Sequence, residues 1–454
     1  MHSRNTILGL LFATPSALSL SSLPSLPGTT GPGKSPLDCR SMVATLSVKS
    51  GVEIHPIGEE FDISSASASL AWFPRESFHQ KVKQFQLTPS PQHTSSKVID
   101  DIIEMQWDEP GPLAYAEFRI NSVVETNNEI IPVRQKVPFP IGRGMKTQDM
   151  NQYTRPQRFA AQDTHIKNLA RSLAAGQDDL YRVVCIIADW VSNNIEYSLE
   201  SATAEVIKTS GQVLTDKRGK CDELSSLFVS LSRSLGIPCR FASGYAYNDE
   251  PNLFKERWVP HTWTEVLFPG IGWIPFDITY KTFGHITAGH VQLTTSLDAE
   301  FFDVEYHAHG LDFGLHAIEV ETLVGPTKLV PKSRQIDDRI LDLSLGTQAD
   351  EVGFGSDAVV VATVTNQRDH YVATQLQLAH AKDIQLLSPK RDLNICLGPR
   401  QKIEIPYFFK MDGQHQKEGY VYNYPFALTS KLSPKECQVS IIVKSGAPVF
   451  FAKR

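Results

Sequence analysis

Apolar residues after position 221 recur at helical spacing. Leu224, Leu227, Phe228, Leu231 and Leu235 fall on one face of a 3.6-residue period. Gly236 and Pro238 then stop the helix, the first by tolerating a left-handed exit and the second by lacking an N–H. Upstream, Ile166, Leu169, Ala170 and Leu173 share a face, and Leu180, Val183, Val184, Ile187 and Val191 form a stronger stripe. A small helical lobe is therefore predicted from Asp163 onward, closed by Trp190 and Tyr197, with 204–215 a weaker helix or loop. Elsewhere the alternation has period two. Residues 240–247, 261–267 and 273–277 read as strands, with a turn by composition at 268–272. Short strands are also predicted at 68–73, 81–87, 99–107, 114–124 and 130–139, and again at 358–365, 372–378, 401–408, 420–429 and 437–444. Turn residues punctuate both series, which predicts a β-sandwich at each end, the second immunoglobulin-like. Residues 142–162 are polar without period and read as a linker, and 248–260 as a polar loop.

A chain of 454 residues has room for two to four domains. Hydrophobic residues make up 41% and charged residues 21%, and a net charge of −6 without a basic run points to no nucleic-acid or strongly anionic partner. No stretch reaches the ~18 apolar residues of a membrane span. Residues 1–38 differ from the rest: Arg4 precedes an apolar run at 7–13, and Ser, Pro and Gly follow to Pro36. A signal segment, an unstructured leader and translation upstream of Met42 all fit this pattern. Secretion follows from the first, and a cytoplasmic location from the others. Six cysteines form no dense framework. Cys396 and Cys437 fall in one predicted domain, a pairing open to an exported protein, and Cys185 and Cys239 sit on apolar faces.

Candidate chemistry starts at Cys221, which the pattern places in the first turn of the buried helix. Unpaired backbone N–H groups and the helix dipole favour a thiolate there. On the helix alone, a nucleophile and an inert core thiol stand as equal readings. His261 and Asp277 break the tie. If 261–267 and 273–277 pair as a plain hairpin, the two residues lie opposite each other or nearly so. Opposed Cβ atoms are about 4.5–5.5 Å apart, within reach of a carboxylate–imidazole bond. Such a bond fixes the tautomer and leaves the second nitrogen for a thiol. Pro275 warns of a register slip. Gln212 is a candidate oxyanion donor or an exposed polar residue. Trp258 is a candidate wall of the acyl site or a loop anchor. Asp222 and Glu223 complement the dipole of the helix start. His285, His290, His307 and His309, with Asp298 and Asp303 among them, fit no familiar zinc spacing, so no metal site is predicted.

The runs Gly-Lys-Cys-Asp-Glu-Leu-Ser-Ser-Leu-Phe, Arg-Ser-Leu-Gly-Ile-Pro-Cys-Arg-Phe-Ala-Ser-Gly-Tyr, His-Thr-Trp-Thr-Glu-Val and Gly-Trp-Ile-Pro-Phe-Asp occur in that order. Together they resemble the transglutaminase-like core of the papain-like superfamily, over roughly residues 160–300. The resemblance implies an α+β core with a Cys-His-Asp triad, carried onto Cys221, His261 and Asp277. The expected layout is a leader at 1–40, an N-terminal sandwich at 41–141 and a linker at 142–162. The catalytic core follows at 163–330, and a C-terminal sandwich at 345–454. Members act as transglutaminases, peptidases or amidases, and some are catalytically dead. The expected function is thioester chemistry on amide bonds of a protein or peptide substrate, with no cofactor required. Crosslinking and hydrolysis stay open, as do a non-enzymatic scaffold and a glycan-releasing amidase. The last is disfavoured by the lack of Cys-x-x-Cys pairs.

Overall fold

A computed structural model describes residues 7–13, 35–90, 95–99, 101–108, 115–142, 149–199, 207–249, 255–299, 304–331, 340–411, 416–433 and 436–451. Strands dominate it, and the four α-helices among the described residues all lie between 164 and 234. The expected α+β class is thus corrected towards mostly β. The lobe is one compact insertion among five larger sheets.

Helix α1 spans Thr164–Leu173, α2 Leu180–Asn194, α3 Ser210–Asp216 and α4 Cys221–Ser234. Asp163 and Asp179 start the first two by accepting from the backbone N–H groups of Ile166 and Tyr181. Helix α4 carries the predicted stripe, and burying Leu224, Leu227, Phe228 and Leu231 contributes about 1.5–3 kcal/mol each. Its other faces are buried too, through Ser225, Ser226, Ser230 and Ser232. These small side chains allow close packing on all sides. Ser226 and Ser230 satisfy their hydroxyls on the carbonyls one turn back, at 2.8 and 2.7 Å. At the far end of the helix, buried Arg233 donates to the carbonyls of Cys239, Leu297 and Arg155.

Helix α4 packs on an antiparallel sheet of five strands. Their spatial order is Thr282–Phe283, Gly272–Asp277, Trp258–Phe268, Cys239–Tyr247 and His290–Ser296. Gly244 sits in the fourth strand, where the pairing with His290–Ser296 shifts register. A Cβ on Gly244 would lie 2.0 Å from the carbonyl oxygen of Val291, so only glycine lets the last strand approach.

On the N-terminal side, Cys39–Pro56, Gln80–Ser90 and Tyr115–Asn127 share a sheet with Phe313–Pro331. Val304–Leu311 joins the facing sheet against Asp62–Leu70. Residues 304–331, expected within the catalytic core, therefore return to the N-terminal sheets. Alternation gives a strand its buried face but does not choose its partner. Residues 130–139, expected as a strand, form none. Pro132 and Pro138 lack the N–H that a ladder needs, and Pro138 makes only an isolated bridge with Asp179. Within the expected linker, 149–154 is a 3₁₀ turn whose Tyr153 packs edge-on against Trp273, with centroids 4.8 Å apart. Of the leader, 7–13 is a strand beside Val304–Leu311 and 35–38 is also described. Whether residues 1–38 hold a signal segment turns largely on positions outside the described residues.

The C-terminal region packs two sheets, one of Leu341–Thr347, Asp357–Asn366, Lys402–Lys410 and Gln385–Leu386. The other is Glu351–Val352, Cys437–Lys444, Val421–Ser430, Val372–His380 and Leu393–Leu397. Both flanks grip the centre. The side chain of Gln80 brackets the backbone of Gln292 at 2.8 and 2.9 Å, and Tyr371 stacks on Tyr181 with centroids 4.9 Å apart.

Candidate active site

Cys221 is the first residue of α4, after the N-cap Lys220. What fixes this turn is Glu223. Its carboxylate accepts from Lys220 N at 3.1 Å and from Lys208 N at 3.0 Å, and it is 0% exposed. It is the buried half of a capping arrangement, a stronger role than the dipole complement read from sequence. Asp222 keeps the dipole role, with Lys220 Nζ 3.5 Å away, while burial pushes its carboxyl above the usual range.

The hairpin that carries His261 and Asp277 does not pair as expected. Thr264 lies opposite Phe276 and Phe268 opposite Gly272, so extending the register sets Asp277 across from Trp263. His261 is therefore diagonal to Asp277. A displacement of two residues preserves the face of the sheet. The side chains still meet, with His261 Nε2 2.7 Å from Asp277 Oδ2, and both residues are buried. Cys221 lies beside the His261 ring and adds to the interactions that raise it. With Nε2 committed to Asp277, Nδ1 is the nitrogen left for sulfur. The structure thus brings together all three residues expected to form the triad.

A fourth residue joins them. His290 Nε2 lies 3.0 Å from the same Oδ2, and Tyr280 N donates to Oδ1 at 2.9 Å. Asp277 is therefore held by three donors. Burial alone would raise its carboxyl, but the two imidazoles hold it well below the usual range. Burial would likewise lower His261, yet the charge and hydrogen bond of Asp277, with Cys221, raise it from 6.5 to about 10. His290 goes the other way. Burial lowers it, and Asp277 restores only part. Its Nε2 contacts Asp277, and its Nδ1 lies 3.0 Å from Thr287 Oγ1 and 3.3 Å from the Thr287 carbonyl oxygen. The sequence treated His290 only as part of a metal pattern. Its position in an alternating segment carried no signal of a long-range partner.

His261, Asp277 and His290 offer donor atoms within 4.8 Å of one another. Both Nε2 atoms are within hydrogen-bond distance of Oδ2, so in this arrangement their protons occupy the space a cation would need.

Gln212 is exposed on α3, where its Oε1 accepts from Thr209 N at 2.8 Å. Thr209 Oγ1 accepts in return from Gln212 N at 3.4 Å, which makes the pair a capping box. Trp258 is half-buried at the seam with the N-terminal core, edge-on to Tyr247 with centroids 5.4 Å apart. Two phenols, Tyr197 and Tyr280, stand near enough to Cys221 to feel its charge. Burial is the main cause that raises both Tyr197 and Tyr280, and proximity to Cys221 adds to it. Both also line a cleft of about 970 Å³ that reaches His261. Its walls come from all three regions, with Arg40 and Glu129 from one side and Gln375 and Ser430 from the other.

The family model of the transglutaminase-like superfamily matches residues 167–278. This segment belongs to that superfamily. It runs from within α1 to the residue after Asp277, so it takes in Cys221, His261 and Asp277. The uncharacterised protein YebA of Bacillus subtilis (strain 168) is 29% identical over 127 residues, which are 25% of this chain and 17% of YebA. The chain thus spans less than a fifth of that relative. The uncharacterised protein ML0607 of Mycobacterium leprae (strain TN) is 23% identical over 284 residues, 61% of this chain and 98% of the relative. Among solved structures, a proposed cysteine protease from Cytophaga hutchinsonii is 19% identical. It has a TM-score of 0.46 and covers 65% of this chain and 94% of its own.

Proposed function

We propose that this transglutaminase-like chain is a cysteine enzyme that acts on amide bonds of protein or peptide substrates. The observation that carries the proposal is the ring of His261, bonded through Nε2 to Asp277 and with Cys221 beside it. The sulfur of Cys221 attacks the amide carbonyl and a carbon–sulfur bond forms. His261 holds the thiol proton and passes it to the departing nitrogen as the carbon–nitrogen bond breaks. An amine or water then attacks the thioester and releases Cys221. Asp277 orients the ring and offsets its positive charge. Backbone N–H groups at the start of α4 supply donors for the developing oxyanion, and Tyr197, whose side chain lines the cleft, is a candidate side-chain donor beside them. The cleft, near the upper end of the range for small-molecule sites and walled by mixed polar groups, suits a polypeptide segment.

The test is limiting alkylation with iodoacetamide from pH 5 to 9, followed by peptide mapping. Cys221 is expected to label selectively at mildly acidic pH, and His261→Ala to abolish that selectivity. Equal labelling of several cysteines, only at alkaline pH, would leave a binding scaffold. Amine incorporation into casein, set against casein cleavage, then separates acyl transfer from hydrolysis.

A further inference from the structure

One face of α2 is committed to the C-terminal sandwich. Asp179, at its N-cap, accepts a hydrogen bond from the hydroxyl of Tyr371. Arg182 Nη2 donates to Gln401 Oε1 at 2.9 Å, and Asn394 Nδ2 donates to Asp189 Oδ1 at 2.9 Å. Cys185 lies one turn before Asp189, and Cys396 lies two residues after Asn394 on the strand Leu393–Leu397. Residues four apart on a helix and two apart on a strand share a side. The register that sets Asn394 on Asp189 therefore sets Cys396 on Cys185. Cys396 packs against the central core that contains Cys185, close enough to add to the rise of the Cys185 thiol.

The pairing of Cys396 with Cys437, left open for an exported protein, does not fit this sheet. Two strands, Val372–His380 and Val421–Ser430, separate Leu393–Leu397 from Cys437–Lys444. Three strand spacings come to about 14 Å, twice the Cα separation that a disulfide can span.

We propose that Cys185 and Cys396 form an interdomain dithiol site that a small-molecule disulfide, such as oxidised glutathione, converts to a cystine. Cys396, the half-buried member, attacks one sulfur of the reagent and forms a mixed disulfide, releasing the first reagent thiol. Cys185 then attacks the Cys396 sulfur and releases the second. Two protein thiols are oxidised, one external disulfide is reduced, and both protons leave on the reagent thiols. Burial raises the Cys185 thiol, so the second step is slow. The product ties α2 to a strand whose Asn394 faces Gln375, a residue of the cleft wall. Oxidation thereby fixes that wall against the helical lobe. The inference is independent of whether Cys221 is a nucleophile.

The experiment uses the full-length protein with Cys221→Ala, which removes a competing thiol. It is equilibrated over a series of glutathione ratios, alkylated under denaturing conditions and mapped without reduction. The expected result is one crosslinked peptide pair joining Cys185 to Cys396, loss of two alkylatable thiols, and an unfolding midpoint raised by a few degrees. Cys396→Ser abolishes the link and Cys437→Ser leaves it intact. A Cys396–Cys437 link would overturn the proposal. So would free Cys185 and Cys396 at ratios that oxidise a reference dithiol. Both readouts exist on the Cys221→Ala protein alone, so misfolding of a second variant does not blunt the test.

Discussion

Asp277→Asn is nearly isosteric, and its effect follows from counting protons. The carboxylate has only acceptors, and it takes N–H bonds from His261 Nε2, His290 Nε2 and Tyr280 N at 2.7, 3.0 and 2.9 Å. An amide in its place has one acceptor oxygen. If that oxygen keeps Tyr280, the amide NH2 faces two imidazole N–H groups, and each ring must change tautomer or turn away. His261 would then carry its proton on Nδ1, toward the sulfur, and lose the ability to accept one there. In the wild type, His261 is raised from 6.5 to about 10, largely by Asp277 once burial is overcome. Read as differential stabilisation at ~1.4 kcal/mol per unit, the shift is on the order of a few kcal/mol for the imidazolium. Asp277 sees the same interaction from its other end, so the two shifts are not added. We expect alkylation of Cys221 at pH 6 to slow by about 10²–10³-fold, and turnover by ~10³-fold or more, with the circular dichroism spectrum kept. Stability carries a second readout. The His261 contribution is complete below its unfolded value near 6.5 and is lost as pH rises through about 10. The Asp277 contribution is present above about 4 and is lost as pH falls through its depressed folded value. The wild type should therefore show a stability plateau between these limits, and Asp277→Asn a lower, flatter profile. Wild-type alkylation of Asp277→Asn at pH 6 would refute the reasoning.

His290→Leu removes one donor from Asp277 and should cut Cys221 alkylation at pH 6 by about 10-fold, whereas His290→Gln, whose amide nitrogen reaches the Nε2 position, should keep most of it. A pH–rate profile checks this, since a packing defect alone would not be rescued by Gln. Gly244→Ala drives a Cβ into the carbonyl of Val291 and should lower the unfolding free energy by about 2–4 kcal/mol in urea titrations. Arg233→Met takes the donor from the buried carbonyl of Cys239 and from the less buried carbonyls of Leu297 and Arg155, and should cost about 1–3 kcal/mol by the same titration, with the pH dependence of labelling unchanged.

Much of the site was legible because its parts are local. The helix of Cys221 declared itself by a stripe of four leucines and a phenylalanine, and its stop by Gly236 and Pro238. The hairpin declared itself by alternation around a Pro-Gly turn. Its register did not, yet the error was harmless. The slip came to two residues across the pair, and an even slip keeps His261 and Asp277 on one face. A slip of one would have turned the carboxylate into the opposite layer. The caps were legible in principle and misread in use. Thr209-x-x-Gln212 has the form of a capping box, and the structure employs Gln212 to cap the start of its own helix.

What the sequence hid depends on partners far along the chain. His290 lies in the edge strand of the central sheet, and an edge strand is poorly held unless something covers it. Here the N-terminal region does so. Phe73 N donates to Leu293 O at 3.2 Å, Arg75 Nε to the same carbonyl at 3.0 Å, and Thr126 Oγ1 to Ala288 O at 2.5 Å. The covering sheets are themselves completed by residues 304–331, which follow the strand of His290 directly. The chain thus leaves the candidate site, closes the N-terminal sheets, and through them clamps the strand it has just left. No local pattern reports such a loop. It also predicts where damage spreads: loosening the N-terminal sheets should reach Asp277 through His290 before it reaches Cys221, whose helix is packed within a separate core.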